Sequence, residues 1–322
     1  MSGGWIYAFI LDGRGGARPI EPAEVAAWTP ADGVLWVHLD YKEPDVQSWI
    51  REHSGVDELV AEALLAEETR PRAVSVDDGL LVALRGVNLN PDTDPEDMVA
   101  VRIWVEADRV ISTRRRRLLS VQRLVEGFER GRGPKTSGDV LIQLAQRLTE
   151  RIGEVVDEAE DEVAELEQSV LEAEHGELRN ELAALRRRVI ALRRYMAPQR
   201  EALARLHVEK ADWLSATDRM EIREVWDRTI RLVEDLDAVR ERAGITQDEL
   251  VNRLSDQLNR RMYALSIVAA IFLPLGFLTG LLGINVGGIP GAENPQAFAL
   301  FLLLLLGIVA GQFWLFRRWH WL

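Results

Sequence analysis

Cysteine is missing from all 322 residues, which excludes a disulfide framework and a thiolate metal site and leaves only oxygen and imidazole donors for a metal ion. Histidine is scarce as well. The five present, His38, His53, His175, His207 and His320, show none of the i, i+4 or Cys-x-x-Cys spacing of a zinc site. Structural roles are expected for them, with one alternative left open: a weak regulatory cation site where His175 lies near Glu172 and Glu174. Net positive charge is also lacking, since 39 Lys and Arg face 52 Asp and Glu for a formal −13. That balance argues against a nucleic-acid partner, whereas an acidic body raises the local concentration of cations. Met1 to Leu11 has no basic flank leading into an apolar core, so no cleavable signal peptide is expected. No nucleophile, phosphate loop or clustered catalytic acid occurs in a catalytic setting, and neither an enzyme nor a cofactor is expected.

What the chain does have is uncharged length. Met262 to Leu282 and Ala297 to Phe316 each provide the roughly 20 apolar residues that a helix needs to cross a hydrocarbon core. No Asp, Glu, His, Lys or Arg lies inside either run, so a buried proton relay is missing. Arg260-Arg261 precedes the first span, Arg317-Arg318 follows the second, and the connecting residues 283–296 hold no Lys or Arg. The positive-inside rule then places both termini in the cytoplasm. Tyr263, Trp314, Trp319 and Trp321 sit at interfacial belt positions.

Upstream, residues 1–140 read as a cytoplasmic α/β domain with a small sheet. Strands are expected at 6–11, 34–39, 80–84 and 99–105, and helices at 44–53 and 57–68. Residues 141–216 read as an antiparallel helical hairpin. Its acidic arm (Glu154 to Glu174) and its arginine-rich return arm carry apolar stripes through Val155 to Val170 and Leu178 to Met196, with a break at His175-Gly176. Pro198 is expected to kink or shorten the return arm. Arg114 to Arg117 reads as a solvated helix start facing the acidic arm, with phosphate or lipid contact as the alternative. Trp28, Trp36, Trp49, Trp104, Trp213 and Trp226 are core candidates. From a cap at Thr217-Asp218, a helical pattern (217–261) interrupted only by Gly244 before Pro274 continues into the first span; continuous to Leu282 it is about 65 residues or roughly 100 Å of helix. A rod of that length needs partners, which suggests an oligomeric stalk.

Two helices of one subunit cannot enclose an ion path, so conduction requires several copies about an axis. Along the first span Asn259, Met262, Leu265, Ala269, Leu273, Gly276, Gly280 and Gly283 recur at three- or four-residue steps. As a pore face, they would put apolar constrictions at Leu265 and Leu273 that gate by dewetting. Gly276-xxx-Gly280 and Gly307-xxx-Gly311 fit close helix packing equally well.

The string Phe-Leu-Pro-Leu-Gly-Phe-Leu-Thr-Gly-Leu-Leu-Gly-Ile-Asn-Val-Gly-Gly-Ile-Pro-Gly at 272–291 resembles the signature of the two-span CorA-type divalent-cation transporters. Gly283-Ile284-Asn285 and the glycines after it are most similar to the ZntB zinc-transport branch; magnesium channels of the family more often carry Gly-Met-Asn and an acidic loop. The resemblance implies a CorA-like funnel and a homopentamer in the bacterial inner membrane, with the stalk helix of every subunit lining one pore: 262–282 as the pore-lining span, 283–296 as the external loop, 297–316 as the second span and 317–322 as a basic, aromatic tail. It implies a selectivity filter at Gly283, Ile284 and Asn285, where a ring of carboxamide oxygens holds a hydrated cation through its waters. The helix-end carbonyls of the first span add negative potential there. The implied cargo is Zn2+, with Mg2+, Co2+, Ni2+ and Cd2+ as further candidates, and uptake is helped by a proton gradient for which the spans offer no carrier. Glu293 is either an attracting ring at the external mouth or a plain loop carboxylate. Two alternatives remain: a magnesium or cobalt channel, and a non-conducting membrane-anchored scaffold or sensor.

Overall fold

In the computed structural model, residues 3–172, 178–284, 289, 291 and 294–319 are described. Seven strands form one sheet: β1 (Trp5–Leu11), β2 (Ala17–Pro19), β3 (Leu35–Asp40), β4 (Arg72–Val76), β5 (Gly79–Gly86), β6 (Val99–Val105) and β7 (Arg109–Arg114). Their order is β2-β1-β3-β7-β6-β5-β4. Only β3 and β7 run parallel; the other neighbours are antiparallel. The expected small sheet is therefore larger by three strands. β2 has three residues, β4 is an edge strand with a mostly exposed pattern, and β7 opens and closes on arginine, so none shows a long β-branched run.

Both faces of the sheet are covered. Because side chains alternate across a strand, Leu35, Val37 and Leu39 of β3 pack with Val46, Ile50, Val60 and Leu64 on one side. Those partners belong to α2 (Pro44–Ser48), the π-helical turn Trp49–His53 that continues it, and α3 (Glu58–Leu65), which follows the short α1 (Pro22–Val25). On the other side Trp36 of β3 joins Val82, Leu84, Val101 and Ile103 beneath α4 (Leu119–Glu129) and the sheet-proximal ends of the long helices, through Leu141 and Leu144, Leu203 and Leu206, and Ile222 and Val225. Two-sided burial explains why β3, β5 and β6 read as nearly continuous apolar runs. Among the tryptophans, Trp36 and Trp104 are buried and Trp28, Trp49, Trp213 and Trp226 are partly buried against these cores. Gly79 is needed where β5 starts, since a Cβ there would lie 2.3 Å from the Trp104 ring.

Three long helices follow: α5 (Ser137–Glu172), α6 (Leu178–Val208) and α7 (Ala216–Leu282). Pro198 lies inside α6, which runs ten residues past it, so it does not shorten the return arm. The start of α7 is capped by reciprocal bonds two residues earlier than expected: Ser215 N–H donates to Asp218 Oδ2 (2.7 Å) and Asp218 N–H to Ser215 Oγ (3.1 Å). The two arms do not simply neutralise each other. Glu162 of α5 pairs with Arg188 of α6, but Glu167 takes both Nε (2.9 Å) and Nη2 (2.6 Å) of Arg242, and Arg193 pairs with Asp237, both on α7. These pairs are half-exposed and each adds at most about 1 kcal/mol; the buried stripe Ile152, Val156, Val163, Leu182, Leu185 and Leu192 holds the helices together. Arg114–Arg117 is not a helix start facing the acidic arm. Arg114 closes β7, Arg116 pairs with Asp97, and α4 begins only at Leu119.

The chain divides into two compact units, Met1–Asp248 and Glu249–Leu322. The second contains the C-terminal part of α7 and α8 (Ala297–Arg318).

Candidate ion-conducting hairpin

Two helices, the end of α7 and all of α8, are long and apolar enough to cross a membrane, and none of their apolar windows is buried within the chain. They meet along a narrow seam. On α7 the half-buried positions are Ile267, Ala270, Ile271, Leu275 and Leu278; on α8 they are Phe301, Leu305, Ile308, Gln312 and Leu315. Alternating three- and four-residue steps place each set on one face of its helix.

A polar contact crosses this seam. Pro274 has no backbone N–H, so the carbonyl four residues earlier, on Ala270, loses its intrahelical donor. Gln312 Nε2 of α8 donates to that carbonyl at 3.1 Å. A bare carbonyl in hydrocarbon is expensive, and a side chain from a neighbouring helix is a standard way to satisfy it. Pro274 thus stays inside a continuous helix, and Gln312 ties the two spans together. Within the first span Thr279 Oγ1 donates to the Leu275 and Gly276 carbonyls of its own helix. The sequence reading considered ionisable groups within the spans and missed Gln312; the signal available was a lone amide in an apolar run beside a proline-bearing one.

The residues expected to line a pore all lie away from the seam. Asn259, Met262, Leu265, Ala269, Leu273, Gly276 and Gly280 are exposed, with Met262 at 67%, Leu265 at 70% and Leu273 at 71%. At about 100° per residue they centre roughly opposite Ile267, Ile271 and Leu278. In one chain this apolar face has no partner. The glycines give the same picture: a Cβ built on Gly276, Gly280, Gly307 or Gly311 would meet nothing within 4 Å. Close packing of α7 on α8 is therefore not what these four glycines serve. Gly283 differs, because a Cβ there would lie 2.7 Å from the Thr279 carbonyl, which already accepts the Gly283 N–H at 2.9 Å. It ends the helix at a point where a side chain would crowd the last turn. Ile284 is exposed beside it.

Asn285 and Glu293 lie outside the described residues, as do His175, Glu174, His320, Trp321 and the side chain of Glu172. Among the described residues no cluster of three or more His, Asp or Glu could hold a metal ion. His38 is fully buried: its Nδ1 sits 2.8 Å from Ser112 Oγ, and burial, with Arg114 close by, lowers its pKa to about 3. Ser112 Oγ itself donates to the Val37 carbonyl and accepts from Trp36 Nε1, so Nδ1 carries the proton and the imidazole is neutral. His207 contacts the Arg219 carbonyl and stacks on Trp226. At the other end of α8, the Arg318 guanidinium lies 5.3 Å from the Trp314 ring, the pairing expected of an interfacial anchor.

Comparison with known proteins covers the same span. Residues 31–318 match the family described as "CorA-like Mg2+ transporter protein". The chain is 42% identical to the "Divalent cation transporter CmaX" of Pseudomonas aeruginosa, over 99% of this chain and 97% of that protein. It is 37% identical to the "Zinc transport protein ZntB" of Yersinia enterocolitica, over 98% and 96%. The solved full-length CmaX superposes with a TM-score of 0.88, covering 99% of this chain and 98% of that one. The CorA magnesium transporter of Methanocaldococcus jannaschii, at 19% identity, shares the fold with a TM-score of 0.82 over 98% and 99%.

Proposed function

Since the chain belongs to the CorA-like Mg2+ transporter protein family, we propose that it carries divalent metal cations across the bacterial inner membrane, zinc foremost, as a homopentamer with one central pore. The observation that carries this reading is the face of α7 opposite the α8 seam, apolar, uncharged and without a partner in a single chain. Five such faces set about an axis enclose a path that two helices cannot. Leu265 and Leu273 are the constrictions, closing by exclusion of water, and Gly276 and Gly280 leave room beyond them. Asn259 and Met262 mark the cytoplasmic end, Ala269 the middle.

At the outer end, Gly283 and Ile284 lead into Asn285, whose carboxamide oxygens form a ring that holds the cation through its hydration shell. Binding through water is weak enough to let the ion leave. Glu293 adds attraction at the external mouth, and the arginines at 260–261 and 317–318 keep both termini cytoplasmic. The direction is uptake. Coupling to protons would have to do without a side-chain relay, because no Asp, Glu, His, Lys or Arg lies within the spans.

Metal-resolved flux through the purified protein in liposomes tests the reading. Zn2+ enters faster than Mg2+, Co2+, Ni2+ or Cd2+, and Asn285→Ala cuts flux at least tenfold while the assembled mass stays that of five chains. Faster Mg2+ than Zn2+ flux would favour a magnesium channel, the activity named for the family. Assembly without flux of any metal would leave a scaffold or sensor. Zinc flux that ignores a pH gradient removes proton coupling.

A further inference from the structure

The Met1–Asp248 unit holds a polar cleft of about 610 Å³ between the segment after α3, the ends of β5 and β6, and Arg194-Tyr195 of α6. Six guanidinium groups line it, Arg70, Arg85, Arg102, Arg115, Arg116 and Arg194, against three carboxylates, Glu67, Glu68 and Asp97. In a chain of net charge −13 this is a local inversion of sign. Among the described residues only Arg116 of the six has an ion pair, with Asp97.

The innermost two are held by neutral partners alone. Arg102 is 2% exposed; its Nη2 donates to the Glu67 carbonyl at 3.0 Å, its guanidinium lies 4.7 Å from the Tyr41 ring, and its Nε has no partner. Arg85 donates to the carbonyls of Thr69 (2.9 Å) and Met98 (2.7 Å) and lies 4.0 Å from the Tyr195 ring. Gln199 of α6 accepts the Arg85 backbone N–H at 2.7 Å where β4 no longer pairs, which fixes the strand end that presents this side chain. Carbonyls and aromatic faces orient a guanidinium but do not cancel its charge, and a buried cation without a counter-charge is costly. Burial lowers the pKa of both; Arg194 lowers that of Arg85 further and Arg85 and Arg72 that of Arg102, while Glu68 and Asp97 offset part of the effect on Arg85, and arginine does not lose its proton in proteins. With six guanidiniums against three carboxylates, the cleft keeps an excess of positive charge that the chain does not cancel.

We propose that this cleft binds a phosphoryl anion larger than orthophosphate, a di- or triphosphate chain, free or as part of a nucleotide. Guanidinium forks match phosphate oxygens two at a time. The cleft volume is in the range of small-ligand sites, and its rim arginines Arg115 and Arg194 are exposed and positioned to close on the ligand from two elements.

Titration calorimetry on the purified full chain in neutral-lipid nanodiscs tests this, using tripolyphosphate and ATP in separate arms with EDTA present and ionic strength fixed. The expected result is one saturable site per chain. Arg115→Gln with Arg194→Gln weakens it at least tenfold, whereas Arg179→Gln with Arg187→Gln on the exposed side of α6 leaves it unchanged. Equal affinity for the two ligands means that the phosphate chain alone is recognised; tighter ATP binding means that the nucleoside adds contacts. Absence of saturable heat, equal competition by chloride, or equal weakening by both variant pairs overturns the proposal. So does a change of oligomeric mass in the Arg115/Arg194 variant without phosphate binding, which would assign the cleft to carboxylates of a second copy. No metal or gradient enters the measurement, so its outcome is separate from that of the transport assay.

Discussion

The bond between Gln312 and the Ala270 carbonyl exists because Pro274 removed the donor that carbonyl would otherwise have. The two positions should therefore be thermodynamically coupled although they lie on different helices. Replacing Gln312 by leucine keeps the volume and apolar packing but bares the carbonyl. Interhelical hydrogen bonds in membrane proteins average about 0.6 kcal/mol, with a maximum near 1.7. The missing alternative donor puts this one toward the upper end, at about 1 kcal/mol. Pro274→Ala supplies an N–H at the right place, so Ala270 is satisfied within α7. In that background Gln312→Leu should cost about 0 kcal/mol, because the amide then has nothing to complete. Reversible unfolding of the four proteins in mixed micelles, followed by far-UV circular dichroism, measures the cycle. A coupling energy of about 1 kcal/mol is expected. Additive single effects would refute the account, as would Gln312→Leu being equally costly with alanine at 274.

Leu273→Ser places a hydroxyl at one of the two proposed constrictions and should raise metal leak in the closed state several-fold in the liposome flux assay; an unchanged leak would move the gate elsewhere. His38 gives a pH prediction. Its folded pKa, about 3, lies below its ordinary 6.5, so between those values the unfolded chain binds more protons and stability falls as pH drops through 6.5 toward 3. His38→Gln should flatten that slope in denaturant melts at pH 4 to 7, and an unaltered slope would place the acid sensitivity in other groups. Glu167→Gln removes the charge from the two-pronged pair with Arg242; half-exposure of both limits the loss to about 1 kcal/mol or less. The Arg242 partner holds the Glu167 carboxyl below its usual range. That contribution is present above the ordinary carboxyl pKa and disappears as pH falls through the lowered one, a difference visible in paired melts at pH 7 and pH 3.

Much of the architecture was legible along the chain because long apolar periodicities need no tertiary context. The stripes of α5 and α6, the long pattern of α7 and the two uncharged runs each state their own geometry. β2, β4 and β7 do not, since their pairing is decided by neighbours distant in sequence: β7 inserts between β3 and β6, and its Ser112 and Thr113 are buried only because the Val37 and Leu64 carbonyls accept their hydroxyls. Pro198 was ambiguous for the same reason, as a proline ends a helix unless something else satisfies the carbonyl it orphans. The arginine cleft was invisible, since its members come from five separate segments and only Arg115 and Arg116 are neighbours in a visible run.

By itself, then, the order of residues determined that this protein has two helices long and apolar enough to cross a membrane, a large acidic body ahead of them, and a Gly-Ile-Asn sequence between them. Those properties follow from local composition, which the solvent reads residue by residue. Which face of α7 meets α8, which glycines are left open, and how Gln312 completes a carbonyl forty-two positions away depend on packing between helices. The seven-stranded order and the convergence of unpaired guanidiniums depend on long-range pairing, and a linear pattern carries no distances.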